Sequence, residues 1–449
     1  MALKNLQLYE RIKAYVIAAI DFLNQNPDSR FSPNEWTDSP GIGFIFSHGK
    51  LKQLPEYEKC KKTLGEDSSV ASQLNVMIGT ETGGHIAPDI ENLMIRLPTL
   101  GIYKNVLEFN PGYFEREYKD LEDAFYNNNI RYEVIVPVTG HLFSKPLKLS
   151  PTLEICLVSK NDLIPIAPKE IGKDPHLAET AWAIRTEYEL PKIVGSRDKP
   201  NLEAMKKNDQ RRETANILIE KVISCLRLYN VSNVYPQANI HRASSLLFQR
   251  VHPFPVRSAP NFQSRLVFDK DYSEDFIKFW KNFEFAVNNY QPIAIAAKRF
   301  TYSSERHSWE DNIIDLSIAA EALFLSDMSE KTELSYRLRL HAALFLGENN
   351  IESRKRIFAD FGLPYSLRSA IVHGGEPAKI IKKIEKNETA VIGVDYKLEQ
   401  FISRIQYYIK VAILKMINLA TINKEGAASP PNLLDWNNLV FGAQEAEGD

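Results

Sequence analysis

Tyr365-Ser-Leu-Arg-Ser-Ala-Ile-Val-His-Gly-Gly375 decides how the second half of this chain is read. Pro364 and Ser366 offer a helix start, and Gly374-Gly375 a stop, so His373 falls on a C-terminal turn. Arg368 and His373 stand five positions apart, which sets their side chains about 140° apart on a helix. The end position lets His373 turn back towards Arg368, or lets the pair be completed across a dimer. A helix C-terminus also favours a cation. An imidazole moves protons near neutral pH, and a guanidinium supports charge gathering on a phosphate. An isolated Arg-x4-His is common, however, and usually does no more than bond to exposed carbonyls.

Outward from this stretch, the chain from 273 onward reads as almost all helix. One helix spans about 273–289. Another spans about 308–325, with Ile313, Leu316, Ala320, Leu323 and Phe324 inward. Others follow at about 333–347, 351–361, 365–373 and 376–386, then a long one at about 395–422. The tail after Asn423 is rich in small residues, though Leu433–Phe441 carries enough apolar side chains to dock. Upstream, residues 5–24 bear apolar residues on one helical face. From about 40 to 190 the pattern turns to short alternating runs, including Tyr132–Val138, Leu153–Leu157 and Trp182–Tyr188, which predicts mainly β structure. Lys206–Arg212 reads as a charged linker before a helix carrying Leu218, Val222, Cys225 and Tyr229. Short strands and Pro-rich loops are expected over 233–270. The fold class is therefore α+β: an N-terminal β-rich mixed domain (1–272, with a helical insert at 201–232), a helical bundle (273–422) and a tail (423–449).

With 449 residues and a formal charge of −2, the chain has room for two or three domains and no global basic field. Nucleic-acid contact would have to be a local patch. Cys60, Cys156 and Cys225 lie far apart without metal-ligand spacing, as buried thiols in a reducing compartment would. No signal peptide is evident, and no segment approaches the roughly 20 apolar residues of a membrane span. These features predict a cytoplasmic protein with no membrane contact.

Three blocks give the Arg-x4-His a context: Ile314-Asp-Leu-Ser-Ile-Ala-Ala-Glu-Ala-Leu-Phe324, Glu330-Lys-Thr-Glu-Leu-Ser-Tyr-Arg-Leu-Arg339 and Leu367-Arg-Ser-Ala-Ile-Val-His-Gly-Gly375. In order and spacing they resemble the Apea-like branch of the HEPN superfamily, over about residues 305–422. The resemblance implies a four- or five-helix bundle that dimerises. It also implies a metal-independent endoribonuclease without a cofactor, with Arg368 and His373 as the catalytic pair and Ser369 in the polar place after the arginine. Many relatives hold Asn, Asp or His there, so Ser369 departs mildly from the pattern.

RNA supplies its own 2′-hydroxyl nucleophile, so His373 is assigned to proton transfer and Arg368 to the phosphate, leaving a 2′,3′-cyclic phosphate and a 5′-hydroxyl. By analogy with relatives the substrate would be cellular RNA, with transfer RNA a candidate, cut in anti-phage abortive infection on a phage-derived or cellular trigger. Two alternatives stay open, a non-catalytic dimerisation module and a nucleotide-binding regulator.

Glu321 sits on an apolar helical face and needs a partner, for which Arg337 or Arg339 is the expectation. Tyr336 is a candidate to stack on a base and Arg339 to touch substrate. Lys379, Lys382, Lys383 and Lys386 could track phosphates, or form an ordinary solvated face. His341 reads as a surface or core histidine. Thr80-Glu-Thr-Gly-Gly-His85 reads as a tight turn, and Gly41-Ile-Gly43 with His48 and Lys50 as a weak signal. The loose group His241, Arg242, His252 and Arg257 lacks ligand spacing.

Overall fold

The computed structural model describes residues 3–26, 30–31, 45–46, 48–74, 77–80, 83–86, 89–103, 106–138, 143–159, 180–193, 201–229, 234–248, 252–254, 272–326, 333–387, 397–425, 433–434 and 436–441. The chain divides into two compact units, Met1–Ile219 with Tyr235–Val256, and Glu220–Val234 with Arg257–Asp449. Together they hold helices and an antiparallel sheet, an α+β composition.

The first unit begins with α1 (Leu6–Gln25), whose N-cap Asn5 accepts a hydrogen bond from the Leu8 amide. Helices α2 (His48–Leu51), α3 (Pro55–Glu66), α4 (Ser68–Gln73), α5 (Ile90–Arg96) and α6 (Pro111–Tyr126) follow. This corrects the expectation of β structure from about residue 40. The apolar residues there recur at helical spacing: Tyr57, Cys60 and Leu64 on α3, and Phe114, Tyr118, Leu121 and Phe125 on α6, all buried. A proline in the first turn starts both helices. Two short hairpins, β1 (Arg30–Phe31) with β2 (Ile45–Phe46) and β3 (Met77–Thr80) with β4 (Gly83–Ile86), lie among these helices in sequence. The second agrees with the turn expected at Thr80–His85, and Gly41–Gly43 lie outside the described residues.

The main sheet is made of β5 (Asn129–Val138), β6 (Leu147–Lys148), β7 (Leu153–Ser159), β8 (Thr180–Pro191), β9 (Asn239–Ala243) and β10 (His252–Phe254). Its order is β10-β9-β5-β8-β7-β6, and every pair is antiparallel. The three strand-like runs of the sequence are thus β5, β7 and β8. Helix α7 (Leu202–Tyr229) includes Lys206–Arg212, so that charged run is not a linker. Long-stemmed Lys and Arg are good helix formers and continue the helix. All three cysteines are free and buried.

The second unit is helical: α8 (Ser273–Asn289), α9 (Gln291–Ser303), α10 (Trp309–Phe324), α11 (Leu334–Gly347), α12 (Ile351–His373), α13 (Pro377–Asn387), α14 (Lys397–Glu425) and α15 (Trp436–Phe441). Helix α9 has no counterpart in the sequence expectation. Proline at its second position starts it directly after α8. Helix α10 packs on α9, α12 and α14, and α11 packs on α12. Helix α14 is long and apolar enough, by length and composition, to cross a membrane, contrary to the sequence expectation. Its Phe401, Ile405, Ile409 and Met416 nevertheless fill the bundle core, and Arg404 binds Asp360 through Nε at 2.9 Å.

Residues 351–373 form one helix rather than two, although Pro364 lies inside it. Asn350 caps the start, accepting from the Ser353 amide at 2.9 Å. Ser366 is no cap either, since its hydroxyl donates back to the Gly362 carbonyl at 2.8 Å. Buried Pro364 packs beside Leu316, Ser317 and Phe361, and tertiary burial outweighs its missing N–H. The docking expected of the tail is present: Trp436 is buried and stacks on His341, with ring centroids 4.4 Å apart. His341 is a core histidine whose Nδ1 lies 2.7 Å from the Phe324 carbonyl.

Candidate active site

The terminal half of α12 presents Tyr365, Arg368, Ser369 and Val372 at i, i+3, i+4 and i+7, with His373 one turn beyond Ser369. This stripe forms one wall of an open cleft of about 510 Å³, completed by Glu321 and Leu325 from the end of α10 and Leu334 from the start of α11. Arg368, Ser369 and His373 therefore share one concave surface within a single chain, despite the 140° between Arg368 and His373 on an ideal helix. Helix α12 stops at His373 because Gly374 adopts a left-handed φ of 70°, which lets the Gly375 amide reach back to the Ala370 carbonyl at 2.7 Å. His373 is exposed, and its ring makes no hydrogen bond among the described residues.

Arg368 Nη1 donates to Glu321 Oε1. The expected partners of Glu321, Arg337 and Arg339, are thereby replaced by a residue 47 positions away. Burial pushes the Glu321 carboxyl above its ordinary value, against the opposing pull of Arg368. The guanidinium has five N–H donors, so pairing with one carboxylate oxygen leaves donors for a ligand entering the cleft. Ser369 is exposed and adds a hydroxyl at the same wall.

The other expected contacts lie elsewhere. Arg339 donates through Nε to the Phe358 carbonyl at 2.9 Å and sits 3.9 Å from the Phe358 ring centroid, so it braces α12 and does not line the cleft. Tyr336 is 52% exposed but stands edge-on to the same Phe358 ring, also away from the cleft lining. Arg337 is half-buried on α11. Lys379 pairs with Glu376 at 2.8 Å, while Lys382 and Lys383 are exposed on α13. Tyr365, Val372, Leu325 and Leu334 were not anticipated. Helical spacing from Arg368 would have found the first two, and nothing local marks the others.

In the first unit, His241 is buried, its Nδ1 3.1 Å from the Tyr188 hydroxyl and its Nε2 3.0 Å from Asn216 Oδ1. Arg242 is bound to Glu133 at 2.6 Å. Both are structural, while the His252 side chain and Arg257 lie outside the described residues. A second cleft of about 450 Å³ is lined by Asp120, Asp123, Asn127 and Arg131 among others. Within it Arg131 binds Asp120 at 2.9 Å, and Asp123 is bound by Lys119 from outside the lining at 2.8 Å. Among the described residues no group of three or more metal-ligating side chains is found.

No family model, curated protein or solved structure matches this chain.

Proposed function

We propose that the helical unit is a HEPN-type endoribonuclease that cleaves RNA without a metal, through attack of the 2′-hydroxyl on the adjacent phosphate. The observation that carries this reading is the shared cleft of Arg368 and His373, where among the described residues the arginine keeps open nitrogen donors and the imidazole is unbonded. RNA brings its own nucleophile, so the protein has only to move protons and stabilise the phosphorane. His373 takes the proton from the 2′-hydroxyl or returns one to the departing 5′-oxygen. Arg368, held by Glu321, donates to the non-bridging oxygens as charge accumulates there. Ser369 adds one further donor at the same wall. By analogy with the HEPN resemblance, the active form is a homodimer in the cytoplasm. Its role is abortive-infection defence, with transfer RNA as a candidate target and a phage-derived or cellular trigger.

The test is cleavage of total RNA and transfer RNA in EDTA, with product ends mapped. Wild type should leave 2′,3′-cyclic phosphate and 5′-hydroxyl ends. His373→Ala should lower the rate by roughly 10²–10⁴-fold and Arg368→Ala by roughly 10²–10³-fold. Equal inertness of all three proteins, including in extract from infected cells, would remove the reading. The Glu321–Arg368 ion pair favours a second one, in which the cleft grips a mononucleotide phosphate for regulation. A nucleotide-dependent thermal shift without RNA cleavage would select it over the first.

A further inference from the structure

Helix α13 begins only four residues after His373, so its first residue, Pro377, lies within about 14 Å of the cleft histidine. Its lysines, Lys379, Lys382, Lys383 and Lys386, follow the spacing i, i+3, i+4 and i+7, a single stripe about 10 Å long. The opposite side carries Ile380, Ile381 and Ile384, with Ile384 only 1% exposed, so the stripe faces away from the core. Like charges at these spacings repel and weaken the helix, whereas a face kept only for solvation does better with alternating signs. Here the helix has one acid, Glu385, and among the described residues the stripe's ion pair joins Lys379 to Glu376. Among the described residues Lys382, Lys383 and Lys386 have no acidic partner. Lysines elsewhere commonly do, as with Lys61 and Glu91, Lys119 and Asp123, or Lys415 and Glu348. In a chain of net charge −2 this is a local positive field on the helix that follows the cleft histidine in the chain.

We infer that the lysine face of α13 is a backbone-tracking surface for single-stranded RNA, holding the phosphates that flank the nucleotide in the cleft. The choice of RNA rests on the ribonuclease reading, while the polyanion contact rests on the stripe. Lysine acts as a point charge that takes phosphates without reading bases, so affinity rather than sequence preference comes from this face.

The experiment uses the full chain carrying His373→Ala, to prevent cleavage, and a labelled unstructured RNA of about 20 nucleotides. Its dissociation constant is followed over a salt series, with and without Lys382→Gln, Lys383→Gln and Lys386→Gln together. Each lysine on a phosphate contributes about 0.7 to the slope of log affinity against log salt, so the triple change should flatten the slope by about 2. Between about 50 and 200 mM salt, the lysine-bearing protein then loses about 20-fold more affinity than the variant.

An unchanged slope overturns the proposal. So does an equal flattening when Lys59, Lys62 and Lys207 are replaced instead, since total charge would then be the cause. Lysine-dependent binding to vesicles containing phosphatidylserine, with RNA affinity unaltered, overturns it in favour of a membrane contact. If wild type fails to cleave RNA yet the slope still flattens, the surface stands and the cleavage reading falls. Cleavage with an unchanged slope has the converse meaning.

Discussion

Two of the acids on helix α10, Asp315 and Glu321, stand six residues apart, and their surroundings differ in a way that separates structure from function. Asp315 is 1% exposed, and both its oxygens are bound, one by Arg299 Nη1 at 2.8 Å and the other by Arg306 Nε at 2.7 Å. Glu321 is paired through one oxygen with Arg368, and both side chains face the open cleft. Each is a carboxylate–guanidinium contact from the same helix, so the chemistry of the pair does not by itself mark a site. What distinguishes them is the adjoining space and the donors left over. Asp315 closes its network and ties α9, Arg306 in the α9–α10 connection and α10 together. The Glu321 pair ends in a cleft beside an imidazole that makes no hydrogen bond among the described residues. Asp360 belongs with Asp315, since Arg404 binds both its oxygens at 2.9 and 3.0 Å and Tyr408 adds a third donor at 3.2 Å.

The contrast breaks most visibly at Asp315. Asp315→Asn keeps the shape and removes the charge that two arginines share. Breaking a buried pair costs about 3–5 kcal/mol, and the partial exposure of Arg299 and Arg306 puts this one near about 3 kcal/mol. Denaturant unfolding of the full chain measures it. A loss below about 1 kcal/mol would mean that Asp315 is no more structural than Glu321.

The same isosteric change at the cleft should act on activity instead. Glu321→Gln is expected to alter stability by no more than about 1 kcal/mol, because both partners keep solvent contact. RNA cleavage should fall by up to about 100-fold as Arg368 loses its anchor and its aim at the phosphate. A large stability loss with cleavage unaffected would put Glu321 in the same class as Asp315 and dissolve the distinction.

Much of this unit was legible in the sequence because its helices are amphipathic and capped. Ser308 accepts from the Asp311 amide at the head of α10, Asn350 starts α12, and Gly374 ends it one residue beyond His373. The stripe of Tyr365, Arg368, Ser369 and Val372 follows from helical spacing, whereas the place of His373 beside Arg368, about 140° away on an ideal helix, does not. The Glu321–Arg368 contact does not, because it joins α10 to α12 across 47 residues and no local pattern encodes it. Pro364 misled for a related reason: a breaker in isolation is tolerated once its ring is buried against Leu316 and Phe361. Upstream, α3 and α6 were hidden among aromatic residues such as Tyr57, Phe114 and Tyr118, which suit strands by propensity but here recur with a helical period.

Acid titration gives the smallest and sharpest comparison, now between the two units. Glu91 in the first unit meets Lys61, Lys52 and the Tyr57 hydroxyl, and these partners hold its carboxyl down at about 2. The unfolded chain therefore binds more protons than the folded one between about 2 and the ordinary value near 4.5. Glu91 contributes stability above that window and loses it as the pH falls through it. Glu321 has the opposite sign. Burial raises its carboxyl, so just above the ordinary value the folded state holds more protons, and stability falls as the pH rises. Each effect should stay under about 1 kcal/mol after solvent screening. Unfolding midpoints against pH for wild type, Glu91→Gln and Glu321→Gln should thus give difference curves of opposite slope. Wild type should lose its advantage over Glu91→Gln towards acid, and gain relative to Glu321→Gln. Two curves of the same sign would mean that the pull of Arg368 on ionised Glu321 outweighs the effect of burial. In that case Glu321 would hold Arg368 too tightly for the arginine to turn to a phosphate.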